Sequence, residues 1–236
     1  MMNVEAVNAE TENGGSVSME IKGKTISGVI FDIDGVLLDS MKIWNDLGAR
    51  YLIKNGIQPE EGLNKILFSM SMEQGADYLR EHYVPDRTRE ELLDGIRGML
   101  EDFYFHEVDL KPGARELVTY FSSNNLPVTA ATSSPRQQIE RALERNGLLE
   151  YIDRIFTNSE VGESKHSPKI YNMAAQYMNT SPEETLVFED SLYALKTAKD
   201  AGYITVGVYD EYGESDVEGL KNTADIFLNR IDDFKV

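Results

Sequence analysis

Residues Phe31 to Ser40 read FDIDGVLLDS, and this stretch decides the fold. It continues the apolar run Gly28-Val29-Ile30 and sets Asp32 and Asp34 two positions apart, with Gly35 directly after. A short β-branched run that breaks into Asp and Gly reads as a buried strand ending in a loop. Open α/β sheets bind ligands beyond the carboxyl ends of their strands, so this loop is the first candidate for a site. Two carboxylates there call for a compensating charge, ordinarily a metal ion. The alternative is an acidic turn, since Asp and Gly are ordinary turn residues.

Downstream of Ser40 the apolar period becomes helical. Ile43, Leu47, Tyr51 and Leu52 share one face, and Asn55-Gly56 marks a stop. Further helices are expected from Leu63, through Ala76, Leu79 and Tyr83, and from Thr88, where Thr88 and Glu91 have capping-box spacing. Only helices are expected over 41–107, which reads as a helical cap domain inserted after the first strand. Alternation of strand and helix then resumes. Strands are expected at Pro127–Ala131, Arg154–Phe156, Thr185–Phe188, Ile204–Val208 and Ile226–Leu228, with helices between the first four. That alternation implies an α/β fold with a Rossmann-like, doubly wound parallel sheet. The core is assigned to 20–40 and 108–236. Residues 1–19 are polar and acidic and read as a flexible tail, or at most an extra hairpin strand. Glu20–Lys24 are expected to join the first central strand or an edge.

Composition narrows the function. At 236 residues, with 41% hydrophobic and 27% charged residues, the chain has room for one sizeable core plus a smaller unit. A net charge of −18 argues against a duplex nucleic-acid binder, which needs a basic face. An anionic substrate must then be drawn in by a metal or a few local cations. With no cysteine there is no disulfide, thiolate nucleophile or cysteine metal site. No apolar run is long enough to span a membrane, and no signal-peptide core is evident. A cytoplasmic protein, monomeric or weakly oligomeric, is the expectation.

Four strand ends carry polar groups of matching kind: Asp32/Asp34, Thr132-Ser133-Ser134, the loop holding Lys165, and Glu189-Asp190. Parallel strands bring such ends to one edge of the sheet. Together they suit phosphoryl transfer to and from a small phosphorylated metabolite. Asp32 is the candidate nucleophile and Asp34 the general acid and base. Asp32 and Asp190 are candidate Mg²⁺ ligands, with the Asp34 backbone carbonyl and Glu189 beside them. Thr132, with Ser133, would bind phosphate, and Lys165 would neutralise charge in the transition state. Glu189-Asp190 could instead cap the next helix, and Lys165 could be a solvated surface charge. Pro135 suits a first helical position, with Ser134 as the cap. His82, His106 and His166 read as surface or hinge residues.

FDIDGVLLDS, AATSS, SKHSP and VFEDS, in that order, resemble the four motifs of the haloacid dehalogenase superfamily. The likeness is greatest to its phosphatase and β-phosphoglucomutase-like group and covers about Ser27 to Val236. By position it implies a nucleophile at Asp32, an acid/base at Asp34, a hydroxyl at Thr132, a lysine at Lys165, an acidic metal motif at Glu189 and Asp190, and Mg²⁺. The pattern departs in three places. His166 stands where relatives commonly have proline, although Pro168 is kept. Trp44 stands at the cap position where mutases have histidine, and the cap loop Phe68–Glu73 has no cation. Mg²⁺-dependent phosphate-ester hydrolysis through an aspartyl phosphate is therefore expected ahead of sugar phosphomutation, and both ahead of a non-catalytic phosphometabolite-binding protein. Trp44 is a candidate substrate contact, against the alternative of packing within the cap, as are Met70 and Met72.

Overall fold

A computed structural model describes residues 7–8, 19–21, 23–68 and 70–235. Most of the expected tail therefore lies outside the described residues, as does Ser69 of the cap loop. The chain divides into two compact units, one of residues 1–39 and 109–236 and one of 40–108.

In the first unit, β1 (Val7–Asn8), β2 (Met19–Ile21) and β3 (Lys24–Ile26) form a three-stranded antiparallel sheet. Met19, Ile21 and Ile26 are buried, while Glu20 between two of them is exposed, the period-2 signature of a one-sided strand. This corrects the expectation for Glu20–Lys24. Glu20, Ile21 and Lys24 pair in this separate sheet and join neither the first central strand nor an edge of its sheet.

The core begins at β4 (Gly28–Phe31). The second unit follows, with α1 (Lys42–Lys54), α2 (Leu63–Phe68), α3 (Met72–His82) and α4 (Arg89–Asp102), the last running into a π-helical turn over Phe103–Glu107. Ile43, Leu47, Tyr51 and Leu52 of α1 and Leu92, Leu93, Ile96 and Leu100 of α4 are buried. Capping boxes start α3 (Ser71 with Gln74) and α4 (Thr88 with Glu91), satisfying amides that the first helical turn leaves unpaired. The Ser71 box was not among the sequence expectations.

The chain then returns to the first unit with α5 (Ala114–Ser123), β5 (Val128–Thr132), α6 (Arg136–Arg145), β6 (Arg154–Thr157), the single turn α7 (Asn158–Val161) and α8 (Lys169–Met178). It ends with β7 (Thr185–Glu189), α9 (Leu192–Asp200), β8 (Ile204–Val208), α10 (Val217–Thr223) and β9 (Ile226–Leu228). The six strands from β4 onward form one parallel sheet in the order β6-β5-β4-β7-β8-β9, a doubly wound, Rossmann-like α/β arrangement. The chain builds outward from β4 on one side, then returns to its other side, so the order reverses between β4 and β7. That reversal is where ligand crevices form in such sheets.

Two apolar layers fix the strand ends at this point. Ile30 of β4 and Val187 of β7 pair in register and pack with Tyr171, Ala174 and Ala175 of α8. The next residues, Phe31 and Phe188, also pair and point to the opposite face, with ring centroids 4.5 Å apart. Phe121 of α5 and Phe234 close around them, Phe234 at 5.3 Å from Phe188. Such ring pairs add about 0.5–1.5 kcal/mol each beyond the area they bury. Asp32 and Glu189 are the residues that directly follow this aromatic lock. Among the described residues, no helix is long and apolar enough to cross a membrane.

Candidate active site

The loop after β4 is shaped by backbone bonds. Asp32 N donates to Phe188 O at 2.9 Å, extending the β4–β7 pairing by one residue. Leu37 N and Leu38 N both donate to Ile33 O at 2.9 Å, and Gly35 N donates to Leu38 O at 3.1 Å. This tight curl needs φ of +74° at Gly35, which a residue with a Cβ rarely adopts. Lys111 holds the curl from outside. Its Nζ donates to Gly35 O at 2.5 Å and pairs with Asp210 Oδ2, in the loop after β8, at 2.5 Å.

Asp32, Glu189 and Asp190 are all buried and form one acidic group, offering oxygen atoms that lie within 4.8 Å of one another. Lys165 enters from the loop after α7 and is 2% exposed. Its Nζ lies 2.7 Å from Asp32 Oδ1 and 2.8 Å from Glu189 Oε1. Lys169, the first residue of α8, pairs with exposed Glu163 instead. Lys165 is thus no solvated surface charge, and the reason is the pair of carboxylates that receive it. Ile33 N also donates to Asp32 Oδ1, at 2.8 Å, so Asp32 Oδ1 has two donors.

Three buried carboxylates face one ammonium, and the titration of the group reflects that excess of negative charge. Burial, then Glu189, pushes the Asp32 carboxyl well above the ordinary aspartate value, against the pull of Lys165. Burial, Glu189 and Asp210 push Asp190 up to about 8, with Lys165 and Lys111 opposing. Burial works against the Lys165 ammonium, but Asp32 and Glu189 outweigh it and hold its pKa above the lysine value. An oxygen-only, doubly over-charged cluster fits a hard divalent cation such as Mg²⁺.

The end of β5 supplies the hydroxyls. Thr132 is buried, and its Oγ1 accepts from Ser134 N at 3.0 Å. Ser133 is exposed and accepts from Asn158 Nδ2 at 2.8 Å. Ser134 differs from expectation. Helix α6 starts at Arg136, Pro135 occupies the cap position, and no side chain caps it. The Ser134 hydroxyl instead donates to Asp34 Oδ2 at 2.6 Å, tying β5 to the loop after β4. Glu189 and Asp190 do not cap α9 either, because Leu192 N is taken by Glu214 Oε2 at 3.0 Å. His166 is exposed and lies against the Tyr193 ring at 4.5 Å.

The first unit therefore brings together Asp32, Glu189, Asp190 and Lys165, joins Asp34 to Ser134, and sets Thr132 and Ser133 at the adjacent strand end. Trp44 belongs to the second unit. It is 43% exposed and lines an open, mainly apolar pocket of about 100 Å³ with Leu47, Leu67, Met70 and Met72. Sequence reasoning missed Ser134, Lys111, Asp210 and Tyr171. Only Ser134 carried a signal, its place in the hydroxyl run after β5.

The sequence profile of the haloacid dehalogenase-like hydrolases matches residues 29–208. The chain is 27% identical over 177 residues to a phosphorylated carbohydrates phosphatase of Thermotoga maritima, covering 75% of this chain and 82% of that protein. It is 26% identical over 201 residues to the validoxylamine A 7'-phosphate phosphatase of Streptomyces hygroscopicus subsp. limoneus, covering 84% and 91%. Among solved structures it resembles one described as a putative beta-phosphoglucomutase from Thermotoga maritima. There the TM-score is 0.78 and the identity 25%, over 88% of this chain and 95% of that one.

Proposed function

Given that the chain belongs to the haloacid dehalogenase-like hydrolases, we propose that it hydrolyses a small phosphorylated metabolite through a phosphoryl-enzyme intermediate on Asp32. One observation carries this reading: Lys165 Nζ is clamped between Asp32 Oδ1 and Glu189 Oε1 inside a buried acidic group at the sheet's switch point. With Asp32 Oδ1 engaged by Lys165 and by Ile33 N, Oδ2 is the oxygen that attacks phosphorus. The bond from phosphorus to the leaving oxygen breaks as Asp34 gives that oxygen a proton. Asp34 then takes a proton from water, the water oxygen bonds to phosphorus, and the aspartyl bond breaks to return the carboxylate and free phosphate. Ser134 orients Asp34 through its 2.6 Å hydrogen bond. Thr132 and Ser133 bind the phosphoryl oxygens, and Lys165 offsets their charge. Asp32, Glu189, Asp190 and the Asp34 carbonyl would hold Mg²⁺, which supplies the positive charge that the carboxylates and the phosphate together demand.

Selection among metabolites is assigned to the helical unit, where Trp44, Met70 and Met72 line an apolar pocket. The likeness to a structure described as a putative beta-phosphoglucomutase supports one second reading, a phosphomutase. Against it stands the absence of any cation in the stretch 68–73.

The test is phosphate release from sugar phosphates, glycerol phosphate and an aryl phosphate, with Mg²⁺ and with chelator. Release that needs Mg²⁺ and vanishes in Asp32→Asn supports hydrolysis. Interconversion of sugar phosphates only with a bisphosphate primer would favour the mutase. Undiminished release in Asp32→Asn would overturn both readings.

A further inference from the structure

Beneath the acidic group lies one buried polar side chain that the reaction above does not use. Tyr171, on α8, is fully buried, and its hydroxyl donates to Glu189 Oε1 at 2.7 Å. The same oxygen accepts from Lys165 Nζ at 2.8 Å. Two donors thus converge on one oxygen of Glu189, filling its acceptor sites. Among the described residues, Ser191 Oγ reaches Oε2 only at 3.5 Å. Glu189 is itself fully buried, so its orientation is set by these partners and not by water.

The phenol is held rigidly. Its ring packs among Ile30, Ala131 and Val187 and sits 6.0 Å from Tyr203, whose hydroxyl is bonded to Asn172.

We propose that Tyr171 is a positioning residue, which fixes the Glu189 carboxylate so that Oε1 is occupied within the protein and Oε2 is presented to a divalent cation shared with Asp32 and Asp190. The proposal rests on the metal-dependent reading above. It also explains how Lys165 stays shared. Without the phenol, Glu189 would be short of a donor in a buried site, and the ammonium would be drawn from Asp32 towards it.

Tyr171→Phe removes one oxygen and leaves the ring. The measurement is Mg²⁺ binding to the full chain by titration calorimetry without substrate, alongside the Mg²⁺ dependence of phosphate release. The expected result is Mg²⁺ affinity weakened by roughly 10-fold to 100-fold, the usual effect of losing a partner behind a metal ligand, with kcat largely recovered at saturating Mg²⁺. Tyr203→Phe, which removes a neighbouring hydroxyl in the same layer, should leave Mg²⁺ affinity unchanged. In a Glu189→Gln background, adding Tyr171→Phe should have little further effect on affinity. Unaltered Mg²⁺ affinity in Tyr171→Phe, even with a lowered melting temperature, would overturn the proposal and leave the phosphatase reading intact. Failure of the unmodified chain to bind Mg²⁺ at all would overturn both.

Discussion

Asp190 makes the stability of the metal-free protein depend on pH in an uncommon direction. Most folded carboxylates are held below their ordinary values by partners and add stability as pH rises through the acid range. Asp77, Glu91 and Asp225 are of that kind here. Their contribution is complete above the ordinary carboxylate range and does not change further towards neutrality. Asp190 is the reverse, held up to about 8 against an ordinary value of 3.8. Between those two values the folded chain holds a proton that the unfolded chain has released. Stability is therefore full below the lower value and falls as pH rises towards the upper one, by up to about 1.4 kcal/mol per pH unit. From about pH 5.5 to about pH 7.5 the loss approaches roughly 3 kcal/mol, and Asp32, also raised by burial and Glu189, acts in the same direction. The assay is urea unfolding in chelator at both pH values, repeated with Asp190→Asn and with Mg²⁺. The loss should appear in the metal-free chain and shrink in Asp190→Asn and with Mg²⁺. Metal-free stability that stays level or rises across this interval would refute the reasoning.

Other perturbations probe separate parts of the site. Lys165→Met leaves the Asp32, Glu189 and Asp190 carboxylates without their ammonium, so activity should fall by at least about 100-fold and stability by about 3–5 kcal/mol, read by phosphate release and urea unfolding. Phe188→Ala opens the aromatic lock behind Asp32 and should cost about 3–5 kcal/mol in urea unfolding at fixed pH. Trp44→Ala should change KM unequally across the substrate panel while turnover of a small aryl phosphate holds. Equal effects on every substrate would point to a packing role for Trp44.

The parallel sheet was legible because its strands are short apolar runs that break into polar residues. Gly28–Phe31 running into Asp32 and Thr185–Phe188 running into Glu189 announce themselves locally. The separate sheet over Met19–Ile26 was not legible, because two of its strands have only three residues each and its partner lies in a polar segment. Helix α10 was overlooked although Asp216 signals it, its side chain accepting from Gly219 N at 2.8 Å. Within the site, carboxylates and lysines could be recognised by type, whereas partners defined by distance could not. Ser134 follows two other hydroxyl residues, and nothing local says which of the run faces Asp34. Tyr171 reads as one more apolar residue on the inner face of α8. Lys111 reads as the lead-in to a turn, and its bond to Gly35 O spans 76 positions. Such contacts exist only once the sheet has assembled.

In the proposed reaction phosphorus becomes bonded to Asp32, and that bond can be trapped. Asp34→Asn with an aryl phosphate suits the experiment, because a good leaving group needs no proton while release of the intermediate still needs a base. Rapid quenching, borohydride reduction of the acyl phosphate and peptide mass spectrometry locate the modified residue. Homoserine is expected in place of Asp32, dependent on substrate and absent after Asp32→Asn. Substrate turnover with the reduced residue elsewhere, or with no acyl phosphate formed at any quench time, would contradict the proposed reaction.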